Sequence, residues 1–185
     1  MSSLENKNYA FNEMMVHVPL CSHKEPKNIL VVGNIDDDFK KELEKHSLEN
    51  IEFGDESIIT SKNEKNIDVI IIAKGSVCEE LLANIDRILK DDGVLSFKSK
   101  SYAKDCDALA NDLTLVGSKF WIAMPFKFGH TTSILASKKY HPTADIILQV
   151  SDLLDDLNYY STEIHHASFV MPANIHRKLT GIAKR

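Results

Sequence analysis

The sequence predicts an α/β fold in which a mostly parallel sheet ends in an antiparallel hairpin, and three observations carry that expectation. Ile29–Gly33 and Val69–Ala73 are continuous apolar runs, the pattern of strands covered on both faces. Helical patterns alternate with such runs at short spacing, which calls for parallel strands joined by right-handed crossovers. Farther on, Leu115–Phe126 and Thr131–Lys138 are extended runs joined only by a turn at Phe128–His130, so they must be antiparallel.

Taken in order, Tyr9–Leu20 reads as a helix, with Phe11, Met14, Met15 and Val18 at helical spacing and Pro19 expected to end it. A polar turn containing Pro26 leads into the strand Ile29–Gly33 and then a helix from about Asp37 to His46. Asp36, Asp37 and Asp38 suit that helix start, because carboxylates cap orphan N–H groups and complement the helix dipole. A short strand follows at Asn50–Phe53, and after a polar stretch comes the strand of "IDVIIIAKG". Leu81, Leu82, Ile85, Ile88 and Leu89 mark one face of the next helix, which gives way at Asp91, Asp92 and Gly93 to the strand "VLSFKS". A helical segment is expected near Ala103–Leu113, ahead of the hairpin, and another at Ala144–Leu157 in the tail.

Composition limits the possible functions. The chain has 185 residues, 43% of them apolar, enough for one core and a single domain over residues 1–185. Its formal net charge is -5, from 22 basic and 27 acidic side chains, so no overall basic field exists to hold nucleic acid or an anionic membrane. The longest apolar run, Val69–Ala73, is far short of a bilayer span, and the polar N-terminus does not read as a signal peptide, which makes a cytoplasmic protein the expectation. Cys21, Cys78 and Cys106 lack any CxxC spacing and read as reduced thiols. The eight histidines, including His17, His23 and the adjacent His165 and His166, read as structural or surface residues, and no metal is expected.

Two stretches carry a specific resemblance. "NEMMVHVPLCSHKEPKNILVVG", Asn12–Gly33, resembles the segment that enters the catalytic domain of spermidine synthases, and "YYSTEIHHASFVMPANIHRKL", Tyr159–Leu179, resembles the motif that closes it. "IAMPF" and "ILASKKYHP" fit between them. The resemblance implies a Rossmann-like fold of the S-adenosylmethionine-dependent methyltransferase type with no resident cofactor. It also implies transfer of an aminopropyl group from decarboxylated S-adenosylmethionine to putrescine, and hence an adenosyl pocket beside a diamine groove. On this alignment Gly33, Asp36 and Asp55 fall at nucleoside-binding positions, Asp55 or Glu56 replacing the acid that holds the ribose hydroxyls. Glu13, His17, Tyr159 and Tyr160 fall at positions that approach the amine substrate. A plainer alternative is that Glu13 and His17 pair on one helical face and the tyrosines pack the tail.

The sequence departs from the family where the chemistry is most demanding. Its GGGDGG loop is here Gly33-Asn34-Ile35-Asp36-Asp37-Asp38, and β-branched Ile35 stands where backbone should approach the ligand. Its DSSDP segment aligns with Ala73-Lys74-Gly75-Ser76-Val77, so Ala73 and Ser76 replace the catalytic aspartates and no catalytic residue can be assigned. Lys74 and a further lysine, Lys98, would repel a diamine. Only Gly54–Asn66 fills the passage where the family has a helix and a further strand, so one crossover unit is expected to be reduced, and the family's N-terminal β domain is expected to be absent. Three readings remain: an active aminopropyltransferase, a non-catalytic relative kept for binding or assembly, and, last, a methyltransferase on the same fold. A lost edge strand also predicts a homodimer, formed through the new edge or through the Tyr9–Leu20 helix.

Overall fold

Period-two alternation along uninterrupted apolar strands explains how the sheet is covered on both sides. In the computed structural model, which describes residues 8–185, the strands are β1 (Asn28–Val32), β2 (Asn50–Gly54), β3 (Ile67–Ile72), β4 (Leu89–Ser99), β5 (Ile122–Phe128) and β6 (Thr131–Ser137). They form one six-stranded sheet in the order β2-β1-β3-β4-β6-β5. β2, β1, β3 and β4 pair in parallel, and β6 joins β4 and β5 antiparallel, as the hairpin pattern predicts.

One face of the sheet presents Leu30, Val32, Ile70, Ile72, Leu95 and Phe97 to Leu82 and Ile85 of α4 (Glu79–Ile88) and to Leu109 and Leu113 of α5 (Cys106–Gly117). The alternate residues Ile29, Val31, Val69, Ile71 and Val94 face α1 (Tyr9–Ser22) and α2 (Asp37–Glu44) through Met14, Met15, Phe39 and Leu43. Between β2 and β3 lies only the five-residue helix α3 (Ser57–Ser61). The crossover unit there is reduced, which leaves β2 as the sheet edge, with Phe53 45% exposed on it.

Three expectations need correction. Pro19 does not end α1, which continues to Ser22; the missing proline N–H costs one helical bond, whereas burial of every residue from 12 to 22 rewards continuation. The helix expected near Ala103–Leu113 is α5, which begins later because Asp105 caps it, accepting a hydrogen bond from Ala108 N at 2.9 Å, and which runs on through residues 115–117, so that β5 begins at Ile122. In the tail, only α6 (Leu148–Ser151) of the expected long helix forms. Leu148 and Leu153 stay 46% and 77% exposed, so no buried apolar stripe supports more turns, and Asp156 turns the chain at a φ of 55°. The chain closes with α7 (Thr162–Ser168) and α8 (Ala173–Leu179).

Candidate functional site

The carboxyl ends of β1, β3 and β4 and the β5–β6 turn share one edge of the sheet, because β4 runs parallel to β1 and β3 and Ser99 at its end pairs with Thr132. Open α/β sheets bind ligands along this edge, where the strand order reverses. Here the reversal lies between β1 and β3. Gly33 leaves β1 with a φ of 107°, and a Cβ there would lie 2.9 Å from the backbone nitrogen of Lys74. The two loops therefore meet backbone to backbone, stitched by the Ala73 N to Val32 O bond of 2.9 Å, and nothing can enter between Gly33 and Lys74. At Gly75, whose φ is 128°, a Cβ would lie 2.8 Å from a Glu56 carboxylate oxygen, so the loop after β2 closes over the loop after β3.

The acids at this edge are engaged locally. Asp36 caps α2, accepting from Phe39 N at 2.7 Å, and the same oxygen accepts from the Asn12 amide at 2.9 Å, which ties α2 to α1. Asp55 accepts from the backbone N–H and the hydroxyl of Ser57, at 2.9 and 2.5 Å, and opens α3; these bonds hold its carboxyl below the usual aspartate range. Ala73 is buried and Ser76 is exposed.

Glu13, His17 and Tyr160 form a different group, in the interior. Glu13 is 1% exposed and accepts from three consecutive backbone N–H groups, those of Asn158, Tyr159 and Tyr160, at 2.9, 2.8 and 2.7 Å. His17 bonds Glu42 through Nε2 and His46 through Nδ1, both at 2.9 Å. The carboxylate can only accept, which fixes Nε2–H on His17 and makes His46 the donor to its Nδ1. Glu13 and His17 therefore do not pair with each other; each reaches across to another element. Tyr160 stands edge-on to His17, and its hydroxyl lies 2.9 Å from His165 Nδ1. His165 Nε2 donates to Pro142 O at 2.9 Å, so the phenol donates to Nδ1. Burial lowers the pKa of all three histidines, His46 to about 3 and His165 to about 4, and raises that of Tyr160. Tyr159 is half-buried, with its hydroxyl accepting from Gly129 N at 3.3 Å. The two stretches that carry the family resemblance are thus one structural joint, closed by Glu13.

An open cleft of about 420 Å³ lies on the other side of the Gly75–Ser76 loop. Its wall includes Lys98, Lys100, Lys104, His130 and Asp112. The Asp112 carboxylate accepts from Ser99 Oγ at 2.6 Å. Sequence reasoning flagged Lys98 but missed Lys100, Lys104 and His130; the signal was a run of lysines at the carboxyl end of an apolar strand. At the opposite edge of the sheet, oxygen and nitrogen atoms of His23, Asp68 and Asp92 lie within 4.8 Å of one another. Such a cluster can hold a cation in principle, but its hydrogen bonds oppose it. His23 Nδ1 accepts from Glu25 N at 3.2 Å, which puts the proton of the neutral ring on Nε2, the nitrogen that faces the carboxylates. Lys90 already sits 2.7 Å from Asp68.

The model for the spermine/spermidine synthase domain family matches residues 8–64. A polyamine aminopropyltransferase of Methanocaldococcus jannaschii is 28% identical over 216 aligned positions, covering 90% of this chain and 74% of its own length. The alignment is longer than the chain, so that relative contains segments lacking here. Among solved structures, a spermidine synthase from Thermotoga maritima superposes with a TM-score of 0.84 at 23% identity, over 96% of this chain and 76% of that one. A spermidine synthase in complex with the transition state analogue AdoDATO gives a TM-score of 0.83 at 22% identity, over 95% and 77%. These two likenesses establish the fold, an α/β architecture shared with those spermidine synthases.

Proposed function

We propose that this chain is a divergent member of the spermidine synthase family that has lost aminopropyl transfer and keeps the fold for binding or assembly. The observation that carries this reading is the charge at the carboxyl edge of the sheet. Aminopropyl transfer joins a diamine, protonated at neutral pH, to a carbon beside a sulfonium; both substrates are cations, and the attacking nitrogen must first give up a proton to a nearby base. The open cleft here presents Lys98, Lys100 and Lys104, with Asp112 the one carboxylate in its wall. Asp36 and Asp55 hold helix starts, and Glu13 holds the tail. Ala73 and Ser76 supply no base where the family resemblance expects aspartates.

The purified chain is expected to form no spermidine from putrescine and decarboxylated S-adenosylmethionine. Neither that nucleoside nor methylthioadenosine at millimolar concentration is expected to raise its melting temperature. Measurable transfer to any diamine would end this reading and restore the active aminopropyltransferase. An assembly role in the cytoplasm also calls for a partner surface, and the β2 edge with exposed Phe53 offers one, because an unpaired strand invites pairing. Light scattering at micromolar concentration is expected to give the mass of a homodimer, and Phe53→Lys is expected to shift it toward the monomer. A wild-type monomer would remove the β2 edge as the contact.

A further inference from the structure

The lysines at the carboxyl edge differ from most others in the chain. Lys27, Lys62, Lys90 and Lys138 are each in an ion pair with a glutamate or aspartate, and Lys184 donates to backbone carbonyls. Among the described residues, Lys98, Lys100 and Lys104 have no ion pair and no side-chain hydrogen bond, yet they line one cleft. A protein of net charge -5 has carboxylates to spare for neutralising them. Instead three lysines line the cleft with Asp112, one of whose oxygens accepts from Ser99 Oγ. Like charges gathered around a partly enclosed space repel one another unless a counter-charge enters it.

The remaining wall suits the same visitor. Ser76, Ser101 and Thr131 contribute hydroxyl donors, and His130 adds a ring nitrogen. Lys104, just ahead of α5, and Ala108 in its first turn also line the cleft, the Ala108 N–H being already capped by Asp105. We propose that this cleft binds a small molecule through a phosphate or pyrophosphate group, which the lysines neutralise and the hydroxyls orient. A compact, multiply charged anion fits better than a polymer: the volume is that of a small ligand, and the charge outside the cleft is net negative. The inference rests on the reading that cationic family substrates no longer enter this site.

Inorganic pyrophosphate is the probe, titrated into the full chain by calorimetry at constant ionic strength, with sodium chloride as the control. A dissociation constant of about 1 mM or below is expected. At ten times that concentration the melting temperature should rise by roughly 3–6 °C, by mass action on a domain of this size. Lys98→Ala with Lys104→Ala is expected to weaken binding at least tenfold while leaving the far-UV spectrum and the ligand-free melting temperature unchanged, since neither side chain has a partner to lose. No heat above the chloride control, or undiminished binding by the double variant, would overturn the proposal. So would binding confined to a long single-stranded oligonucleotide, which would mark a polymer surface. The aminopropyl assay on the same preparation separates the two claims: transfer activity defeats the proposed function, whereas silence in both experiments defeats only the phosphate site.

Discussion

Glu13→Ala is expected to cost about 3–5 kcal/mol of stability and to loosen the C-terminal segment from residue 158 onward, because three backbone donors lose one charged acceptor. A carboxylate bonded to N–H groups makes stronger bonds than a neutral acceptor, and Tyr160, whose N–H makes the shortest of them, is 3% exposed. Water can reach the Asn158 end of the joint, since that residue is exposed, but not the Tyr160 end. Glu13→Gln keeps one acceptor oxygen and turns an NH2 toward a donor, so an intermediate loss is expected. Urea unfolding gives the stability, and amide exchange at residues 158–160 reports the joint. The experiment also separates a structural Glu13 from one that meets substrate: a residue facing an open site would leave stability unchanged when truncated, and unchanged stability would refute the assignment.

The fate of Glu13 shows where the sequence was legible and where it was not. The strands could be read because burial on both faces leaves an uninterrupted apolar run, as in Ile67–Ile72, where every residue is buried. The start of α2 could be read because capping is local: Asp36 and Phe39 are three positions apart. Glu13 and Tyr160 are 147 apart, and a side chain that accepts from a distant backbone leaves no pattern in either stretch. The spacing of Glu13 and His17 invited an intrahelical pair, but each had a stronger partner on another element. Pro19 and the tail erred for opposite reasons. Burial carried the helix through a poor residue at Pro19, and in residues 144–157 its absence left good helix formers unfolded into turns.

The site was legible as chemistry and not as shape. Loss of the glycines after Gly33 and the aligned Ala73 and Ser76 are visible in the residues themselves. That Gly33 rests on the Lys74 backbone, and that Lys98, Lys100 and Lys104 surround a cleft with His130, depends on how three loops end at the same edge. The net charge of -5 pointed away from anions, yet it is an average over a surface whose basic groups are unevenly distributed.

Acid is expected to destabilise the protein well above the pH at which carboxylates titrate. Burial holds His46 at about 3 and His165 at about 4, against an unfolded value of 6.5, and shifts His17 in the same direction. Below pH 6.5 the unfolded chain takes up protons that the folded chain refuses, so the stability present above 6.5 is lost progressively as pH falls toward the folded values. Each such histidine costs about 1.4 kcal/mol per pH unit. Two of them remove roughly 3 kcal/mol between pH 6.5 and 5, a large share of a typical domain's stability. The charges around His17 and His46 are Glu42, Lys45 and Glu13; Glu42 favours protonation of His17, but desolvation outweighs it. Around His165, the Pro142 carbonyl favours protonation and neighbouring His166 opposes it. His46→Gln keeps an N–H donor for His17 Nδ1 and removes one titrating group, so its stability should fall less steeply with acid, by about 1.4 kcal/mol per pH unit. Urea titrations at pH 7.5, 6 and 5 measure both slopes. A wild-type chain equally stable at all three, or a His46→Gln variant with the wild-type slope, would show that these rings are already protonated or open to water in the folded protein.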